Sequence, residues 1–104
     1  MGKTAVHVKL TAAEGKGDDV VQAFSTLYEG PLDAEPGCEV HVIHQAKDNP
    51  DIVLFYELYA DDDAFQAHGQ GEALRAVFPK LAGLLTGAPE MTLSEPKHGK
   101  GVTV

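Results

Sequence analysis

The residues best suited to chemistry in this chain are Glu57, Tyr59 and His68. Glu57 is the single carboxylate within the apolar run IVLFYELY, which follows Asp51. Burying a carboxylate is costly unless it is paired, and burial pushes its pKa upward, so Glu57 reads as a proton or hydrogen-bond acceptor. Tyr59 comes two residues later and therefore shares its strand face. His68 ends a short segment, DDDAFQAH, that also carries Phe65. Imidazole is the side chain whose ordinary pKa lies closest to neutrality, which suits it to proton transfer. A carboxylate, a phenol and an imidazole near one strand end, among apolar residues, form the pattern of a small-molecule pocket. Each group also has a purely structural reading. Glu57 would then bond loop amides or a second subunit, His68 would be a helix-end histidine, and Tyr59 and Phe65 would be ordinary core.

The elements that must hold these groups follow from periodicity. Residues 4–11 alternate, with Val6, Val8 and Leu10 opposed by His7 and Lys9, and predict a first strand. Asp18 or Asp19 can cap a helix over 20–28, whose apolar face is Val20, Phe24, Leu27 and Tyr28. Residues 38–45 alternate again, the turn KDNPD follows, and 51–59 complete a hairpin. Acids 61–63 suit a helix N-terminus. A longer amphipathic helix is expected over 72–85, kinked or broken at Pro79, and a fourth strand over 90–95. The order β-α-β-β-α-β predicts an α+β, ferredoxin-like fold with a four-stranded antiparallel sheet over residues 1–96 and a short tail, 97–104. With helices on one face only, the other face needs cover, and a second copy of the sheet is the expected cover.

Composition narrows the function. The chain has 104 residues and a formal net charge of −8, so phosphate backbones and anionic membranes are poor partners. One cysteine, Cys38, excludes an internal disulfide and a multi-cysteine zinc site. It follows a turn with no adjacent histidine, and no nucleophilic role is expected for it. No apolar run approaches a membrane span and the N-terminus does not read as a signal peptide, so a soluble cytoplasmic protein is expected. Five histidines invite a metal reading. His41 and His44, however, lie three apart on a strand and point to opposite faces, and neither HxH nor HExxH is present. No metal centre is expected.

The stretches EPGC (35–38), DNPD before VLFYELY, DDDAFQAH and LLTGAPEMTLSEP occur in an order and spacing that resembles the antibiotic biosynthesis monooxygenase family, in particular its quinol- and anthrone-oxygenase-like members. The resemblance implies a homodimeric α/β barrel with a pocket in each subunit, and a small aromatic or quinone-like substrate oxygenated without flavin, haem or metal. It implies walls formed by Phe55, Tyr59, Phe65 and Phe78, with His68 or Glu57 as proton acceptor. His7, on the neighbouring strand, is expected to face the same pocket. The sequence departs from the family pattern at three places. Tyr59 stands where Trp is usual, Phe55 where some anthrone oxygenases carry Asn, and GQGEA where Ser-Pro-His usually follows the helix histidine. Haem-degrading relatives carry Asn, Trp and a proximal His at places that fall on His7, His68 and near Phe78. Two other readings stand beside the oxygenase: a non-catalytic, stress-responsive barrel that sequesters a hydrophobic molecule, and an isomerase of a small phosphorylated metabolite using Lys9, Arg75 or Lys80.

Overall fold

The structure, a computed structural model, describes residues 2–104. Its elements are β1 (Thr4–Thr11), α1 (Gly17–Phe24), β2 (Cys38–Ala46), β3 (Asn49–Tyr59), α2 (Asp62–Gly69), α3 (Glu72–Arg75) and β4 (Glu90–Ser94). Short 3-10 helices at Ser25–Tyr28, Pro31–Ala34 and Phe78–Leu81 connect them. The sheet order is β2-β3-β1-β4 with every neighbouring pair antiparallel, which is the expected ferredoxin-like arrangement. Residues 97–104 contain neither helix nor strand. Among the described residues no helix is long and apolar enough to cross a membrane.

The hairpin and α1 are built as one piece. Lys16, at the helix start, makes no side-chain cap; instead the Asp51 carboxylate accepts from Gly15 N and Gly17 N, each at 2.9 Å. Asp18 and Asp19 are therefore not caps and occupy the first turn, where the helix dipole favours their charge. Gly17 is required by close approach, because a Cβ there would lie 1.9 Å from the Pro50 carbonyl oxygen. On the inner face, Leu10, Val20, Phe24, Leu27, Val53 and Val77 form the core. Phe24 meets Phe55 edge to face at 4.8 Å between ring centres, a favoured aromatic geometry.

The helical layer is more broken than periodicity predicts. The helix expected over 20–28 begins earlier, at Gly17, and tightens into a 3-10 turn after Phe24. The long helix expected over 72–85 reduces to the four residues of α3 and a separate 3-10 turn. Pro79 supplies the reason: it has no N–H to give, and in a continuous α-helix its ring would clash with the carbonyl of Arg75. Gly83, at φ 77°, then turns the chain away in a conformation that favours glycine.

The other face of the sheet is bare. Pairing places His7 opposite Tyr56 and Lys9 opposite Leu54, with these side chains turned from the helices. Val42 and Leu54 are 41% and 37% exposed there.

Candidate functional site

One cavity of about 290 Å³ lies between the sheet and the broken helical layer. That is close to the lower end of the roughly 300–1,000 Å³ range of ligand pockets. Phe55, Phe65, Leu74, Phe78, Leu81 and Met91 are among its walls, and no lysine or arginine lines it. Its polar groups are Glu57, His41 and His68. Larger depressions beside Asp61, Asp62 and Asp63 and on the bare sheet face are open to solvent and lie away from these three groups.

Each group arrives from a different element. Glu57 projects from β3, beside the mid-sheet partner Val6, and is 7% exposed. His68 sits in the last turn of α2, whose N-terminus is capped by Asp61 accepting from Ala64 N at 2.8 Å. His41 comes from β2 and pairs directly across from Glu57, its Nε2 being 3.6 Å from Glu57 Oε2. A register shift between Cys38 and Val40 makes that pairing possible. Without the extra residue, His41 would oppose Tyr56 and face the bare side, since a one-residue slip reverses every side chain.

Behind the three groups stand three partners. Tyr59 donates its hydroxyl to Glu57 Oε1 at 2.7 Å and is fully buried. Glu35, from the segment before β2, meets His68 Nδ1 at 2.6 Å. Tyr28 lies 2.8 Å from His41 Nδ1. The His41 and His68 rings are 5.2 Å apart, so the arrangement is continuous from Tyr28 to Glu35.

Burial controls the charge states. Desolvation lowers His41 to about 4, with His68 adding a smaller push, so its imidazole is neutral at pH 7. The 3.6 Å approach to Glu57 is therefore not an ion pair near neutrality. Desolvation also raises Glu57, opposed by the Tyr59 hydrogen bond and by His68. Burial raises Tyr28 and Tyr59 far out of the physiological range, and lifts the Cys38 thiol to about 11. Tyr59 thus serves as a hydrogen-bond donor.

Of the residues singled out by sequence, Glu57, His68, Phe55, Phe65 and Phe78 line the cavity. Tyr59 does not reach its surface; it stands behind Glu57 and against Phe65 and His68. His7 is a correction. It faces the opposite side of the sheet and packs against Tyr56, ring centres 5.5 Å apart, because it alternates with Val6 and Val8, which face inward. The opposition of His41 and His44 expected from their spacing is real: His44 points outward and meets the Leu54 carbonyl. One histidine of that pair nonetheless completes the cluster. Glu35 was visible only as part of EPGC.

The sequence pattern that defines the antibiotic biosynthesis monooxygenases matches residues 4–80. Among solved structures, one is a Caulobacter crescentus CB15 protein described provisionally as an antibiotic biosynthesis monooxygenase. It is 25% identical, with a TM-score of 0.83 over 93% of this chain and 92% of that one. The protein NE2512 of Nitrosomonas europaea, of unknown function, is 25% identical with a TM-score of 0.81 over 100% and 98%. PA3566 of Pseudomonas aeruginosa, at 20% identity, superposes with a TM-score of 0.82 over 94% and 97%. No curated protein matches the chain.

Proposed function

Because the chain belongs to the antibiotic biosynthesis monooxygenase family, we propose that it is a cofactor-independent monooxygenase acting on a small aromatic, quinol-like molecule. The observation that carries this reading is the pairing of almost wholly apolar walls with a single polar cluster, His41, Glu57 and His68. Such a cavity takes up a flat, hydrophobic ring system and offers its acidic position to a base while excluding water.

His68 is the proton acceptor. Its Nδ1–H donates to Glu35, which leaves the Nε2 lone pair free and stabilises the imidazolium that forms. Glu57, held by Tyr59, bonds the substrate's hydroxyl or carbonyl. Removal of an acidic C–H proton gives an electron-rich carbanion that reduces dioxygen, and a C–O bond forms. The resulting hydroperoxide loses water to leave a carbonyl. Overall, a CH₂ group and O₂ become a C=O group and H₂O.

The bare sheet face supports a homodimer in which a second copy covers Val42, Leu54 and the His7–Tyr56 pair. A monomeric mass by light scattering would overturn that part. A phosphorylated substrate is poorly served, since Lys9, Arg75 and Lys80 do not line the cavity.

The test is oxygen uptake by chelator-treated protein against quinols, naphthols and anthrones. Uptake above autoxidation, reduced at least tenfold in His68→Gln and in Glu57→Gln, is the expected result. Unchanged rates in both variants would remove their assigned roles. Ligand-induced stabilisation without uptake would favour a binding protein instead.

A further inference from the structure

We infer that His41, Glu57 and His68 form a binding site for a divalent first-row cation of the zinc and cobalt class. This goes beyond the oxygenase reading and does not depend on it. One ligand atom from each residue lies within 4.8 Å of the other two, and all three groups border the same cavity. Ligand atoms around such a cation, bonded at about 2.0–2.2 Å, stand roughly 3.3 Å apart. His41 Nε2 and Glu57 Oε2, at 3.6 Å, already approach that spacing. His68, at the end of the short helix α2, supplies the third ligand atom, within 4.8 Å of the other two.

Three further observations point the same way. First, the donor set of two imidazoles and one carboxylate, with an open side toward the cavity, is one that such cations accept. Second, every donor has an outer partner: Tyr28 for His41, Tyr59 for Glu57 and Glu35 for His68. In the tautomer whose Nδ1–H donates to the Tyr28 hydroxyl, His41 presents its Nε2 lone pair, and a Nδ1–H donated to the Glu35 carboxylate does the same for His68. Outer partners of this type orient ligands and raise their basicity. Third, among the described residues no lysine or arginine comes within 4.0 Å of Glu57, so its carboxylate has no permanent cationic neighbour. A cation there would take the lone pairs that the proton-transfer reading assigns to the site. Cation and aromatic substrate are therefore expected to exclude one another.

Cobalt(II) is the probe, added to the full chain after chelator treatment and dialysis. The expected result is one equivalent of tight binding with visible ligand-field bands of low coordination number, bleached by zinc. His41→Gln should weaken binding at least tenfold, whereas His44→Gln, on the outer face, should leave it unchanged. Glu35→Gln, a half-buried position outside the ligand set, should weaken it about 10–100-fold if it supports His68 as an outer partner. Circular dichroism of each variant verifies the fold. Absence of bands, bands that survive His41→Gln, or bands lost in His44→Gln would overturn the site. Cobalt binding without oxygen uptake would leave this site standing and remove the oxygenase. Uptake by chelated protein without cobalt binding would do the reverse.

Discussion

Acidification should weaken this fold through His41, and by an amount that can be worked out. In the folded chain burial holds its pKa down to about 4, against about 6.5 in an unfolded chain. As pH falls the unfolded chain therefore binds the proton first. The stability present above pH 6.5 is lost progressively toward pH 4. Between pH 7 and pH 5 the loss from this one group is about 2 kcal/mol, or roughly 10 °C in melting temperature for a chain of this size. Glu57 acts in the opposite direction. Its raised pKa makes the folded chain the better proton binder, so acidification favours folding at that position. Tyr28, Glu57 and His68 are the ionisable groups that face His41, and all remain in the variant His41→Gln. Urea unfolding of both proteins at pH 7 and pH 5, in chelator, isolates the histidine. The wild-type advantage over the variant should shrink by about 2 kcal/mol at the lower pH. An advantage that stays constant within about 0.5 kcal/mol would show that burial does not hold His41 neutral.

Tyr59→Phe should cost about 1–3 kcal/mol in urea unfolding, because it strips a buried carboxylate of its hydroxyl donor. Carbon NMR of the Glu57 carboxyl should show its titration moving to still higher pH. Glu35→Gln should lower turnover about 10–100-fold by weakening the charge that holds His68, with little change in melting temperature. Gly17→Ala should destabilise by about 1–3 kcal/mol through its clash with Pro50. Gly69→Ala, where a Cβ meets nothing within 4 Å, should be neutral or mildly stabilising. Equal melting temperatures for the two alanine variants would refute the close-packing argument at Gly17.

The first two strands are legible because their residues alternate in polarity, and β3 because it is a long apolar run after a strong turn. His68 and Glu57 stood out because a charged or titratable group in an apolar run has few structural excuses. What stayed hidden depends on register and on distant partners. His41 reaches the cavity only through the extra residue between Cys38 and Val40, and bulges leave little trace in a pattern of alternating residues. His7 looked equivalent to a pocket residue because its strand is adjacent, yet adjacency does not determine face. The capping of α1 by Asp51 joins residues 34 apart in sequence, so local rules assigned it to Asp18 or Asp19. The 72–85 stretch has the apolar spacing of a helix, but Pro79 denies it the backbone bonds of one.

That broken stretch also determines how the protein breathes. Its own backbone bonds are few and short-range, among them Ala76 N to Glu72 O, Val77 N to Leu74 O and Lys80 N to Val77 O. Its backbone bonds to β1 and the residues just after it lie at its far end, where Ala13 N bonds Leu84 O and Thr86 N bonds Thr11 O, and Val77 alone is fully buried in the core. Phe78, at its middle, is 55% exposed although it lines the cavity. Amide hydrogens of residues 72–81 should therefore exchange with solvent long before those of β1 and β3. This wall is the least cross-bonded side of the cavity, so a guest molecule can displace it while the sheet stays intact.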